Sequence, residues 1–186
     1  MYKQLILASQ SPRRRELMAL CEIPFTIINP QVDETLNAEL PLGDAVADLA
    51  YRKAHLVFQK HPDSVVIGAD TIVVIDDEVL GKPVEVPVAI EMLRKLSGRV
   101  HKVITGVSII GPGSEEKFFT ETDVEFFPLT EDQIKKYVDT KVCLDKAGAY
   151  GIQDKGALFI KGIVGDYYTV MGLPIARVYQ SIQKYL

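Results

Sequence analysis

An α/β fold with a mixed sheet is predicted by three observations. Apolar runs of strand length alternate with helical patterns along most of the chain, and two long extended runs flank a Gly-Pro-Gly turn. The 186 residues are 47% hydrophobic and 25% charged, an ordinary composition for a soluble globular domain with one substantial core. The long hairpin brings antiparallel pairing into a sheet that βα alternation would otherwise make parallel.

In chain order, Leu5 to Ala8 is a buried first strand, and Ser11 caps a helix whose body includes Glu16 to Leu20. Pro12 fits the first helical position, where its missing N–H costs nothing. Phe25 to Ile28 is a short strand, followed by an acidic loop through Asp33 and Glu34. A helix from about Leu42 to Lys60 carries Leu42, Val46, Leu49 and Leu56 on one face, with Lys53 in the middle of it. Ser64 to Ala69 is an apolar strand ending at Asp70, and Thr71 to Ile75 continues extended to a turn at Asp76-Asp77. Gly81-Lys82-Pro83 is a loop, and Pro87 to Leu96 is a helix stopped by Ser97-Gly98. Val100 to Ile110 and Lys117 to Phe127 form the hairpin around Gly111-Pro112-Gly113. Thr130 and Gln133 stand at capping-box spacing. After a glycine-dense stretch from Asp145 to Gly172, Pro174 to Tyr185 closes the chain as a helix. The whole reads as a single domain, 1–186.

The formal net charge of −4 argues against binding to a nucleic-acid polymer, and no apolar run approaches a membrane span. Cys21 and Cys143 form no metal or redox motif, so reduced thiols in a cytoplasmic protein are expected.

Positive charge is local. The turn Ser9-Gln10-Ser11-Pro12-Arg13-Arg14-Arg15 offers helix N–H groups, hydroxyl donors at Ser9 and Ser11, and three guanidinium groups, a combination suited to phosphate. An ordinary capped helix with an exposed basic turn explains the same residues. Lys53 either snorkels from its apolar face or lines a cleft and reaches a ligand phosphate. Asp70, at the end of a buried strand, is either a turn residue or a carboxylate that ligates a hard cation and accepts a proton from water; Glu34 would complete such a metal site. Gln153 offers an amide for a base edge. The histidines have no metal-ligand spacing, and no Walker or Rossmann glycine string occurs.

Taken in series, Ser9-Gln10-Ser11-Pro12-Arg13-Arg14, Gly68-Ala69-Asp70-Thr71, Gly81-Lys82-Pro83, Ser97-Gly98 with His101, Thr105-Gly106-Val107, Asp145 to Gln153 and Gly172-Leu173-Pro174 resemble Maf proteins over essentially the whole chain. The resemblance implies the fold of inosine triphosphate pyrophosphatases: a long, mixed, twisted sheet flanked by helices, with two lobes and a central cleft. It implies a nucleoside triphosphate pyrophosphatase of the branch that acts on dTTP, UTP and some modified pyrimidine nucleotides. It further implies Asp70 as proton acceptor, with Arg13, Thr71 and Gln153 setting substrate choice. Lys53 and Lys82 would hold phosphates, and Glu34 with Asp70 would hold Mg²⁺ or Mn²⁺. In the turn before the first helix, Ser9, Arg13 and Arg14 are then the expected substrate-binding residues, with Arg13 touching substrate and Arg14 supporting it. A homodimer is compatible with the resemblance. Asp154 departs from the pattern, since many relatives have Gly after the Gln. Two alternatives stand beside this reading: a nucleotide-binding regulator of septum formation with incidental catalysis, and a sugar-phosphate transferase.

Overall fold

The computed structural model describes residues 4–186. Their elements run β1 (Leu5–Ala8), α1 (Pro12–Ala19), β2 (Phe25–Ile27), α2 (Leu42–Phe58), β3 (Val65–Ile75), β4 (Glu78–Leu80), α3 (Val86–Leu96), β5 (Val100–Gly111), β6 (Ser114–Phe126), α4 (Glu131–Val138), β7 (Ile160–Val164), α5 (Tyr167–Met171) and α6 (Ile175–Ile182). The sheet order is β2-β1-β3-β5-β6-β7, with β4 paired to β3. β1 lies parallel to β2 and β3, whereas β3–β4 and β6–β7 are antiparallel, so the sheet is mixed as expected. No helix among the described residues is long and apolar enough to cross a membrane.

The chain forms two compact units, and β3, β5 and β6 contribute residues to both. The first comprises the described residues up to Asp70, Thr105–Thr120 and Gly172–Leu186. In it, Ile6, Ala8 and Val66 on the sheet pack with Ala54 and Val57 of α2. The second comprises Thr71–Ile104 and Glu121–Met171. Its core joins Val73, Leu93, Val124, Phe126, Ile134 and Phe159.

Local signals in the sequence are realised closely at the caps. Ser11 caps α1 by accepting from Arg14 N, and Thr130 with Gln133 closes a complete capping box on α4. Three expectations need correction. The buried strand does not end at Asp70: β3 continues unbroken through the extended run to Ile75, because Ile72, Val73 and Ile75 are themselves buried. Asp70 therefore sits inside a strand, not at its carboxyl end. The turn at Asp76-Asp77 has positive φ at both residues (52° and 61°), the form that folds a two-residue hairpin back on itself, and it leads into β4, which the sequence reading lacked. On α2 the buried face is Val46, Leu49, Ala50, Lys53, Ala54 and Val57, while Leu42 and Leu56 are only half-buried.

That face is rich in alanine because the helix backbone lies almost directly on the sheet. A Cβ at Gly106 of β5 would stand 2.5 Å from Ala47 N, and one at Gly68 of β3 would stand 2.9 Å from Ala54 N. Neither obstacle is a side chain that can swing aside. Gly106→Ala is therefore expected to destabilise the fold by about 3 kcal/mol, at the upper end of overpacking costs. Gly162→Ala, which has open space around the new methyl, should be near neutral. Urea unfolding of both variants checks the contrast.

Candidate active site

The first unit gathers six of the residues singled out from the sequence: Ser9, Arg13, Arg14, Glu34, Lys53 and Asp70. Alternation along β3 directs Asp70 to the same face as Gly68, which is the face covered by α2. Lys53, one turn beyond Ala50 on α2, meets it there: Nζ donates to Asp70 Oδ1 at 2.7 Å. The same ammonium lies 2.7 Å from Glu34 Oε1. Lys53 is 7% exposed, so the lysine that interrupts an apolar stripe does not snorkel to water but bridges two carboxylates.

The turn before α1 is built to present donors. Ser9 Oγ accepts from Ser11 N at 3.1 Å and from Arg14 Nη1 at 3.5 Å. Arg14 Nε donates to Gly172 O at 2.7 Å, anchoring the guanidinium. Burial lowers its pKa from the ordinary arginine value, the charge of Asp70 opposes that shift, Arg13 adds to it and Glu34 opposes it. Arg14 thus lies in the field of both carboxylates. Arg13 is half-buried and Arg15 exposed. Arg13, Arg14, Lys53 and the carboxylates of Glu34 and Asp70 thus act on one another, and the cations among them are of the kind that suits an anionic ligand.

The donor chemistry of Glu34 and Asp70 fits a hard divalent cation. Glu34 Oε1 and Asp70 Oδ1 both pair with the Lys53 ammonium, which brings the two carboxylates to one neighbourhood, and Mg²⁺ is commonly held by one or two carboxylates with phosphate oxygens and water completing its shell. Among the described residues no group of three or more His, Cys, Asp or Glu side chains is placed to hold a metal.

The second unit holds Thr71, Lys82 and Gln153. Thr71 follows Asp70 but points to the opposite face of the strand, the face of Val73. Val73 packs against Gly148, whose φ of +68° and close neighbours suit only glycine, and Gly148 N donates to Gly81 O at 3.1 Å. The loop carrying Lys82 is thereby tied to the segment leading to Gln153. Lys82 and Gln153 are both exposed.

Sequence reasoning missed what shapes the Gln153 loop. Tyr137 donates from its hydroxyl to Asp154 Oδ1 at 3.0 Å and accepts from Gly151 N at 3.2 Å. Asp154 Oδ1 also accepts from Gly156 N at 2.7 Å, and Lys146 Nζ lies 3.5 Å from its Oδ2. Burial, and then the charge of Asp154, pushes the Tyr137 hydroxyl pKa well above its ordinary value, so it remains a donor. The aspartate that departs from the Maf pattern is therefore a structural tie on both sides of Gln153. Arg52 was also missed, although it directly precedes Lys53 and stands one helical turn beyond Asp48.

His101 lies behind this segment, buried against Phe126 and Tyr150, with Nε2 2.7 Å from Tyr150 Oη. Burial draws its pKa down to about 4. An unfolded histidine titrates near 6.5, so the unfolded chain binds more protons between the two values. Stability is accordingly expected to fall by about 3 kcal/mol from this group as pH drops from 7 to 4. His101→Gln should flatten that part of the pH profile, as read by denaturant unfolding across the range.

The model of the Maf-like protein family matches residues 4–185. The chain is 52% identical over 185 residues to a dTTP/UTP pyrophosphatase of Bacillus velezensis, covering 100% of this chain and 98% of that protein. It is 49% and 48% identical to proteins of the same name from Bacillus mycoides and Bacillus cytotoxicus, each over 98% of this chain and 96% of theirs. With a family match over nearly every residue and relatives of this identity along their full length, the chain belongs to the Maf-like protein family.

Proposed function

We propose that this protein hydrolyses pyrimidine nucleoside triphosphates, dTTP and UTP among them, to the monophosphate and pyrophosphate. The observation that carries the reading is the buried Lys53 ammonium shared by Asp70 and Glu34, in a unit that also presents Arg13, Arg14 and Ser9. The names of the relatives supply the substrate class.

In this reading Asp70 orients a water molecule and takes its proton as the water oxygen attacks the α–β anhydride. The bond between the α- and β-phosphates breaks, and pyrophosphate leaves. Lys53 holds Asp70 in place and stabilises charge on the transferring oxygens, and Arg13, Arg14 and the Ser9 hydroxyl bind phosphate at the start of α1. Lys82 contributes a further phosphate contact. Glu34 and Asp70 would hold Mg²⁺ or Mn²⁺, which when bound neutralises the triphosphate and polarises its phosphoryl oxygens. Thr71 and Gln153 select the base, with the Gln153 amide pairing to a pyrimidine edge. A cytoplasmic location and a homodimer complete the proposal.

Incubating the protein with dTTP and Mg²⁺ is expected to release dTMP and pyrophosphate; binding without pyrophosphate would point instead to a nucleotide sensor. Asp70→Asn should keep the fold by circular dichroism and lose ~10²–10⁴-fold in turnover, the usual loss for a positioned base. Near-wild-type dTTP hydrolysis by that variant would remove Asp70 from the mechanism. Gln153→Ala and Thr71→Ala should change the ratio of pyrimidine to purine rates on a panel of triphosphates; an equal fall in both rates would place base selection elsewhere.

A further inference from the structure

We infer that Arg52 is a positioning residue that clamps the Glu34 loop and so sets where the Glu34 carboxylate stands relative to Asp70. The inference rests on the reading of Glu34 and Asp70 as a carboxylate pair for a divalent cation. Between β2 and α2 the chain has neither strand nor helix, so no backbone ladder fixes Glu34. Arg52 restrains the loop backbone on both sides of it. Its Nη1 donates to Asp33 O at 2.6 Å and its Nη2 to Thr35 O at 2.7 Å, the two carbonyls that flank Glu34. Its Nε donates to Asp48 Oδ2 at 3.2 Å, one turn back on α2, which orients the fork. Asp33 Oδ1 in turn accepts from Thr35 N at 2.9 Å and Thr35 Oγ1 at 2.7 Å, closing the loop around Glu34.

Consecutive helical residues point about 100° apart. Arg52 therefore grips the loop backbone from the flank of α2 while Lys53 receives the Glu34 side chain on the buried face. The Glu34 side chain is 62% exposed, and an ion pair with so exposed a partner is weak by itself. The two guanidinium donors, at fixed separation, hold the backbone carbonyls on either side of Glu34. Lysine at position 52 would bring a point charge on a flexible stem and could not span both carbonyls in the same geometry.

The test compares wild type with Arg52→Ala, Arg52→Lys, Glu34→Gln and the Arg52→Ala/Glu34→Gln double variant. Hydrogen exchange, read by mass spectrometry without metal or nucleotide, reports the loop; Mn²⁺ titration of dTTP hydrolysis reports the carboxylate pair. Both Arg52 variants are expected to exchange faster across residues 33–40, with unchanged exchange in β3. The half-saturating Mn²⁺ concentration should rise at least about tenfold, the usual scale for losing an outer partner of a metal ligand. Turnover at saturating Mn²⁺ and dTTP should stay close to wild type. Removing Arg52 from the Glu34→Gln protein should add no further Mn²⁺ shift. Wild-type exchange in the loop, or an equal Mn²⁺ shift with and without Glu34, overturns the clamp. A Glu34→Gln protein with an unchanged Mn²⁺ requirement overturns the underlying metal reading, and the clamp's role in setting the pair falls with it.

Discussion

The first unit depends on how closely α2 approaches the sheet. At Gly68 and Gly106 the helix backbone lies where any side chain on β3 or β5 would stand. This approach buries Ala50 and Ala54 completely and carries Lys53 down to the strand surface. A lysine there is largely withdrawn from water, and charge buried without a partner is strongly disfavoured. Asp70, two residues after Gly68 and on the same face, supplies the partner. Packing and electrostatics are thus one constraint: the contact that brings the helix close also makes the ion pair necessary.

The same strand separates two kinds of chemistry. Asp70 and Thr71 are neighbours in sequence but point to opposite faces of β3, and they fall in different compact units. Asp70 joins the charged residues of the first unit, whereas Thr71 shares the face of Val73, on which the Gly148 segment packs. A two-residue motif thereby delivers a candidate base to one environment and a candidate selectivity residue to another. In the second unit, exposed Gln153 sits on a loop whose backbone is tied through buried Tyr137 and through Asp154. The loop has little regular structure of its own, so these side-chain hydrogen bonds take the part that a ladder plays in a strand.

Much of this was legible in the sequence. The Ser11-Pro12 cap, the Thr130 capping box and the hairpin appear essentially where local chemistry puts them. Those features depend on residues a few positions apart, so short-range rules suffice. Lys53 was legible as an anomaly, a charge within an apolar face, though its partners were not. Gly68 and Gly106 entered the sequence reading only as members of family motifs; that each lets a helix backbone lie close to its strand is shown only by the packing. The end of β3 was misjudged because a polar residue within a strand resembles a turn until its partner is known. Arg52 gave no signal apart from its place beside Lys53, since its function lies in two carbonyls about one and a half dozen residues away.

What the amino-acid sequence determined by itself is the class of the fold, the caps and turns, and the set of charged residues that make a phosphate site plausible. These follow from side-chain periodicity and from groups that meet within a helical turn. What only the tertiary structure decided is which of those charges share a point in space. Lys53 between Glu34 and Asp70, Arg52 on the carbonyls beside Glu34, and Tyr137 on Asp154 are all pairings between separate elements or loops. Each is set by how closely surfaces pack, a property of volumes and backbone paths that no local pattern encodes.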